Sequence, residues 1–355
     1  MKQNDYRSRA LYVLIALASI SYALPGYAES TADYLLFPHV GAIFRSGLVD
    51  DSLLDDEDTK YGIALFGTAE YGKLLFLGEF LLSKDEQEIE RFQVGWTAGD
   101  SKIWLGRFHN PIGYWNSQFH HGSYLESSIS RPSIVEFEDD NGLLPVHLTG
   151  LLIEGVKEHN KQGLGYALAV AIGPELSDNL EPLDVLEPAS GSQDLSLTLN
   201  LYHEPVIYSP TRYGLFINYT EIPAASRGFE EIRQINAGAY GNWEAHPWRL
   251  VAATFYVENR LQQLNGTSTD SFFSGYIQAE HNLDDRWTVF GRGEWSLSDE
   301  NDRYLALFPH HVTDRFLGGI RLDAFDRHAI KLEVSRNRTQ ADKYGQIVLQ
   351  WDAMF

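Results

Sequence analysis

The chain contains no cysteine and only two methionines. Without cysteine it forms no disulfide and offers neither a thiolate metal ligand nor a thiol nucleophile. Small secreted domains usually depend on disulfides, so an exported chain without them fits a bacterial envelope better. Bases are also scarce, with 28 Lys and Arg against 49 Asp and Glu and a formal net charge of -21. We therefore expect no nucleic-acid partner, because phosphate binding needs a basic face.

Long apolar runs are missing as well. The N-terminal run ALYVLIALASI, residues 10–20, is well short of the roughly 20 residues that a membrane helix needs. A basic head with Lys2, Arg7 and Arg9 precedes it, and the small residues Gly26 and Ala28 follow. These are the three parts of a secretory signal peptide. We predict a signal peptide at residues 1–28 and a mature domain at residues 29–355; an uncleaved membrane anchor is the alternative.

What the sequence does have is alternation between apolar and polar residues, together with 13% aromatic residues and 30 glycines. In DLSLTLNLYH, Leu195, Leu197, Leu199 and Leu201 alternate with polar residues. A period of two indicates a strand with one face in an apolar medium and one in water. Candidate strands of this kind recur from residues 34–45 to residues 343–355, and most have the nine or more residues that a tilted spanning strand needs.

The connections between these candidates support the same architecture. Every second connection is short, such as residues 71–73 and 99–101, and the others are on average longer and more polar. Short turns on one side and longer loops on the other are typical of bacterial outer-membrane barrels. We predict an all-β protein, a transmembrane antiparallel β-barrel of about sixteen strands. Fourteen or eighteen strands, and a soluble β-sandwich, are the alternatives.

The last segment, KYGQIVLQWDAMF, resembles the terminal strand of outer-membrane barrels, which end in an aromatic residue. The whole mature chain resembles the Gram-negative outer-membrane porins in its pattern, and GRFHNPIGYWN resembles a porin strand-to-loop passage. The resemblance implies a bacterial outer-membrane location among lipid and lipopolysaccharide. It also implies that Phe355 is an assembly signal for the barrel-assembly machinery, and that the barrel is a homotrimer. The implied activity is passive diffusion of small hydrophilic solutes or ions.

One segment, residues 109–145, shows no clear strand or helix period. It falls in the third external loop, which in porins folds into the lumen and narrows it. The loop contributes four clustered acids, namely Glu136, Glu138, Asp139 and Asp140. Bases on the polar faces of the strands are the predicted opposing pore wall, namely Arg45, Arg91, Arg107, Arg212, Arg292, Arg321 and Lys331. Acids facing bases would set a transverse field that selects solutes; the alternative is that these charges only solvate a wet lumen.

Other functions have weaker support in the sequence. The loop acids could bind Ca2+, and His120 and His121 could bind a transition metal with His109 or His147; neither has a recognised spacing, so we expect no metal and no cofactor. No G-x-S-x-G, H-E-x-x-H or P-loop motif is present, and an enzyme is not expected. Ranked after the porin and after a non-channel surface barrel, a barrel lipase using His203, His281 or His328 is the third functional hypothesis. The second functional hypothesis is a surface barrel without a channel, which binds a ligand, lipopolysaccharide or a phage.

Overall fold

The structure is a computed structural model of the chain. It describes residues 32–48, 58–83, 87–119, 124–138, 141–183, 194–264 and 266–355. The predicted signal peptide, residues 1–28, lies outside these ranges. Within them, no helix is long enough and apolar enough to cross a membrane.

Sixteen antiparallel strands form a closed barrel, which confirms the predicted fold class. The last strand pairs with the first, and Ala42 lies opposite Trp351 in that closing pair. The barrel strands are β1 (Ala32–Leu48), β2 (Asp58–Tyr71), β3 (Leu74–Ser83), β4 (Gln87–Ala98), β5 (Ser101–His109), β6 (His147–His159), β7 (Gln162–Ile172), β10 (Leu195–Glu204), β11 (Arg212–Pro223), β12 (Glu231–Ala245), β13 (Trp248–Gln263), β14 (Gly266–Asn282), β15 (Trp287–Ser298), β16 (Asp314–Phe325), β17 (His328–Arg338) and β18 (Lys343–Met354).

The alternation in the sequence becomes the two faces of the barrel wall. In β10, Leu197 and Leu199 are exposed on the outside, whereas Ser196 and Thr198, which alternate with them, are buried on the inside. Leu199 lies opposite Ile217 of β11, which is also exposed. Exposed apolar rows of this kind are stable only in contact with lipid, so the outer surface is a membrane-facing surface.

The two ends of the barrel differ. At one end, tight turns connect the strands, and Gly72 and Gly99 adopt the positive φ values of 62° and 63° that such turns require. Exposed tryptophans, which are enriched at membrane interfaces, lie in strand segments adjoining turns at this end, namely Trp96, Trp243, Trp248, Trp287 and Trp351. We assign this end to the periplasm and the opposite end to the outside.

The external connections vary more than the sequence pattern indicated. There are 37 residues between β5 and β6 and 15 between β15 and β16, whereas β3 and β4 are three residues apart, β13 and β14 two, and β17 and β18 four. The connection 264–265 is short because β13 and β14 continue to 16 and 17 residues, which takes the hairpin further out.

A small second sheet was not predicted. It consists of β8 (Glu175–Leu176) and β9 (Leu180–Glu181), which pair within the connection between β7 and β10. Strands of two residues show no period, so alternation cannot detect them. Leu176 and Leu180 are buried and join the apolar cluster inside the barrel.

Candidate pore and its constriction loop

The connection between β5 and β6, residues 110–146, is called loop 3 here, and its two ends are tied together. The side chain of Asn110 donates to the backbone oxygen of Pro145 at 2.7 Å, and Asn116 Nδ2 donates to the oxygen of Asn110 at 2.7 Å. Between these ties the chain forms a short helix, α1 (Gly113–Gln118), which packs against β11, β12 and β13. The loop therefore turns inward directly at the end of β5.

An apolar cluster then fills one side of the barrel interior. Trp115 of α1 lies against Tyr276, with ring centroids 6.0 Å apart, and Tyr114 lies against Tyr240 at 6.3 Å. The connection 299–313 covers the cluster at the external end of the barrel, where Tyr304 and Phe308 join it. The hydroxyl of Tyr304 donates to the oxygen of Leu143 at 2.6 Å. The cluster therefore fixes loop 3 by hydrophobic burial as well as by hydrogen bonds.

Polar residues of the wall behind this cluster are closed to water. Asn218, Gln234, Asn236 and Asn259, on the inward faces of β11 to β13, are 0% exposed. A sixteen-stranded barrel is wide enough for an aqueous channel, so these residues would face water if the interior were empty. They are buried because loop 3 and the apolar cluster cover them.

Carboxylates on the inner wall anchor the middle of loop 3. The backbone N–H of Ser133 donates to Glu294 of β15 at 2.7 Å, and the hydroxyl of Ser127 donates to Glu280 of β14 at 2.7 Å. Glu333 of β17 accepts from the N–H of Ile129 at 2.8 Å and from the hydroxyl of Ser130 at 2.5 Å. The loop thus spans the interior from β5 to the opposite wall.

Arginines on the same wall bind the backbone oxygens of the loop. Arg292 donates to the oxygen of Ser130 at 2.7 Å, Arg315 to that of Arg131 at 2.7 Å, and Arg321 to that of Glu126 at 2.9 Å. Arg292 and Arg321 were among the predicted wall bases, and the structure does bring them to the loop. At the loop, both arginines donate to backbone carbonyls, and Arg292 also donates to the hydroxyl of Ser128. On the wall, Arg292 pairs with Glu294 and Arg321 with Asp323.

The acids of the loop occupy different surroundings. Glu138 is buried and accepts from the backbone N–H groups of Val146 and His147 at 2.7 Å and from His147 Nδ1 at 2.8 Å. The other ring nitrogen of His147 lies 3.0 Å from Glu90 of β4. Glu136 is half-buried and interacts electrostatically with Arg131 and Arg315. Asp139 and Asp140 lie outside the described residues.

Stacked side chains stabilise residues 131–137 of loop 3, which are called the loop tip here. The Arg131 guanidinium lies 3.9 Å from the centroid of the Phe137 ring, and this ring stacks on His147 at 5.8 Å with an angle of 11°. Arg131 also donates to the oxygen of Val135 at 2.8 Å. A cation on an aromatic face is stabilising when water is excluded, so the tip is held in one arrangement.

The remaining predicted wall bases are paired with acids of the wall. The N–O distances are 2.6 Å for Arg91–Glu79, 2.5 Å for Arg107–Glu88, 2.7 Å for Arg212–Glu204 and 3.2 Å for Lys331–Asp352. Lys331 and Asp352 are both fully buried. Arg45 belongs to β1, and its side chain lies outside the described part of the structure.

Glu126 is the buried acid of the loop's first half. Burial raises the pKa of its carboxyl to about 8, although the positive charges of Lys331, Arg131 and Arg292 act in the opposite direction. His311, in the connection 299–313, shows the corresponding effect for a base, since burial lowers its pKa to about 4. Both groups are therefore held in less charged forms than they would have in water.

The side of the interior that loop 3 does not cover lies along β2 to β4. Inward-facing residues there remain half-exposed, among them Phe66, Leu77 and Leu81. Arg91 keeps 23% of its side-chain surface exposed and Glu88 keeps 31%. The interior is therefore divided into a filled half and a half with access to water.

The described residues contain no group of three or more His, Asp or Glu that could hold a metal ion. The rings of His109 and His147 lie 5.5 Å apart, edge to face. His120 and His121, the predicted alternative metal ligands, lie outside the described residues.

Sequence reasoning missed most of the anchoring residues. Glu280, Glu294, Glu333 and Arg315 lie on inward-facing positions of their strands, and loop 3 itself contributes Arg131. In the segment RWTVFGRGEW, residues 286–295, Glu294 is two positions from Arg292 and so shares its polar face. Carboxylates on the polar faces of β14 to β17 are the sequence signal for these anchors.

A closed sixteen-stranded antiparallel barrel with a loop folded inside is a porin-like fold. The chain is similar to the anion-selective porin from Comamonas acidovorans, with a TM-score of 0.62 and 11% identity over 91% of this chain and 100% of that one. It is also similar to the outer membrane channel DcaP of Acinetobacter baumannii, with a TM-score of 0.60 and 10% identity over 94% of this chain and 100% of that one. For Salmonella typhi OmpF the TM-score is 0.59 and the identity 9%, over 91% of this chain and 97% of that one. No protein-family model and no curated protein sequence matches. The predicted porin-like fold is confirmed.

Proposed function

We propose that the protein is an outer-membrane porin through which small hydrophilic solutes diffuse passively. The observation that carries the proposal is the anchored position of loop 3, whose residues 127–133 bond to inward carboxylates on β14, β15 and β17. A loop in this position narrows a lumen that sixteen strands would otherwise leave wide. A narrow, water-filled passage with polar lining is the requirement for size-selective diffusion.

We place the passage between the loop tip and the wall formed by β2 to β4. The half-exposed groups on this side include Glu88, Arg91 and Glu136. Glu79, Glu90 and Glu138 lie close by, which gives five acids on this side among the described residues. The bases there are four, namely Arg91, Arg107, Arg131 and His147. A confined negative field raises the local concentration of cations, so we propose a preference for cations over anions. The predicted role of Glu136, Glu138, Asp139 and Asp140 as constriction acids belongs to this proposal.

The membrane context follows from the same fold. We propose a location in the bacterial outer membrane among lipid and lipopolysaccharide, with assembly directed by Phe355, which is exposed beside His328. We also propose a homotrimer. In support, the solved OmpT of Vibrio cholerae, to which this chain is similar with a TM-score of 0.51, is described in a trimer form.

The absence of cysteine permits a direct test, because single-cysteine variants have no background reactivity. Leu81→Cys introduces a thiol on the side proposed as the passage, and Asn236→Cys is the matched control on the covered side. Both variants are reconstituted in planar bilayers and treated with a charged thiol reagent. We expect stepwise conductance in both, and a reduction by the reagent only in Leu81→Cys. Absence of single-channel steps in the wild type refutes the pore; a block confined to Asn236→Cys refutes the location of the passage.

A further inference from the structure

Bases are concentrated on the membrane-facing side of β16 to β18, near the outer end of the barrel. Arg336 of β17 lies between Phe316 of β16 and Gly345 of β18 in the strand register. The next outward row contains Asp314, Arg338 and Lys343. This placement is notable in a chain with a net charge of -21. The basic patch is defined here as Arg336, Arg338 and Lys343.

The charges of the basic patch are only partly neutralised. All three side chains are exposed, and Arg338 lies 3.6 Å from Asp314. In the part of the chain that the structure describes, neither Arg336 nor Lys343 forms an ion pair. Among the described residues of β16 to β18 and the connection between β17 and β18, the acids beside these bases are Asp314 and Asp342. The patch therefore keeps a positive excess on an otherwise acidic protein.

Apolar surface begins directly below the basic patch. The next rows toward the membrane centre contain Val334 with Ile347, and Leu332 with Leu349. Phe316 beside Arg336 is 70% exposed. Gly345 on its other side has no side chain and leaves space next to the guanidinium. Bases above an apolar surface match a ligand with an anionic headgroup and hydrocarbon chains.

We propose that the basic patch binds the phosphate groups of outer-leaflet lipopolysaccharide, with the acyl chains against the rows below. Charge complementarity and the position at the outer end of the membrane-facing surface select this occupant. The patch lies on the outside of the wall, so the proposal stands independently of what passes through the lumen.

Another charged region at the same end lacks this excess. On β11 to β13 the acids Glu221, Glu231 and Glu258 outnumber Arg233 and Arg260. Arg233 forms a short ion pair with Glu231 and lies 4.0 Å from Glu221. Its guanidinium is therefore already occupied, which makes Arg233→Gln a matched control on the same end of the barrel.

The test compares lipid binding by the full-length mature protein in detergent, measured by native mass spectrometry. The probes are bisphosphorylated lipid A, dephosphorylated lipid A and phosphatidylethanolamine. We expect retention of bisphosphorylated lipid A only. In the triple variant Arg336→Gln, Arg338→Gln, Lys343→Gln, the affinity should fall by roughly fivefold for each base, the factor expected for one base near an anionic surface. Arg233→Gln should bind as the wild type does.

Two results overturn the proposal. One is wild-type occupancy in the triple variant; the other is equal binding of dephosphorylated lipid A. Because the substituted side chains face away from the lumen, single-channel conductance should be the same in the triple variant and the wild type. The heat-induced mobility shift of the barrel on gels verifies that each variant is folded.

Discussion

Release of loop 3 from the wall is the sharpest test of the constriction. The double variant Glu294→Ala, Glu333→Ala removes the carboxylates that hold residues 129–133. Glu294 accepts from the N–H of Ser133 at 2.7 Å, from Arg292 at 2.8 Å and from Arg315 at 3.4 Å. Removing one partner of a buried ion pair costs about 3–5 kcal/mol.

The second carboxylate adds to this loss. Glu333 accepts from the N–H of Ile129 at 2.8 Å and from the hydroxyl of Ser130 at 2.5 Å, and hydrogen bonds to charged groups contribute about 1.5–3 kcal/mol each. Water in the lumen reduces both values. A combined loss of about 4 kcal/mol still shifts the ratio of anchored to released loop by roughly a thousandfold. The apolar contacts of Trp115 are untouched, so the release is confined to the middle of the loop.

The assay is single-channel recording in planar bilayers. We expect a larger mean conductance and additional current noise, because a released segment leaves its place in the lumen and fluctuates. Glu221→Ala, Glu258→Ala is the control, since these carboxylates face outward on the wall. A double variant with wild-type conductance and noise, in a barrel that remains folded, contradicts the constriction role of loop 3.

Three further predictions follow from the same loop. Burial raises the pKa of Glu126 to about 8 from an ordinary 4.5. Between these pH values the folded protein keeps a proton that the unfolded chain releases, so the free energy of unfolding falls as pH rises. Glu126→Gln should remove this fall, seen as a smaller difference in Tm between about pH 5 and pH 9; an unchanged difference contradicts it. Gly142→Ala should lower Tm because its Cβ would lie 2.4 Å from the backbone oxygen of Glu136, whereas Gly291→Ala meets no atom closer than 3.7 Å and should be tolerated. Glu88→Gln with Glu136→Gln should shift the reversal potential in a salt gradient toward anions, and an unshifted potential rules out these acids as selectivity determinants.

The barrel was predictable because membrane and water impose a strict period on its strands. Leu195, Leu197, Leu199 and Leu201 face lipid at every second position, and a helix does not give a period of two. Strand number and topology followed from counting such segments. The short hairpin β8–β9 was beyond this reasoning, because Leu176 and Leu180 pair over two residues only.

The interior of the barrel was less predictable because it depends on contacts between residues far apart in sequence. The resemblance to porins implied that loop 3 enters the lumen, and the alternation placed Arg292 and Arg321 on the polar faces of their strands. Neither indicated that Glu294 and Glu333 would hold the loop by its backbone N–H groups. Backbone groups look alike in every sequence, so a hydrogen bond from Ser133 to a wall carboxylate leaves no trace in residue type or spacing.

The filled half of the interior separates two quantities that are often treated as one. The strand number sets the circumference of the wall, but the open cross-section is what remains after Trp115, Tyr276 and the side chains around them have taken their volume. Two barrels with the same strand number can therefore differ widely in the solutes they admit. For this protein, bulk permeability should correspond to a much smaller cylinder than its wall would enclose, displaced from the barrel axis toward β2 to β4.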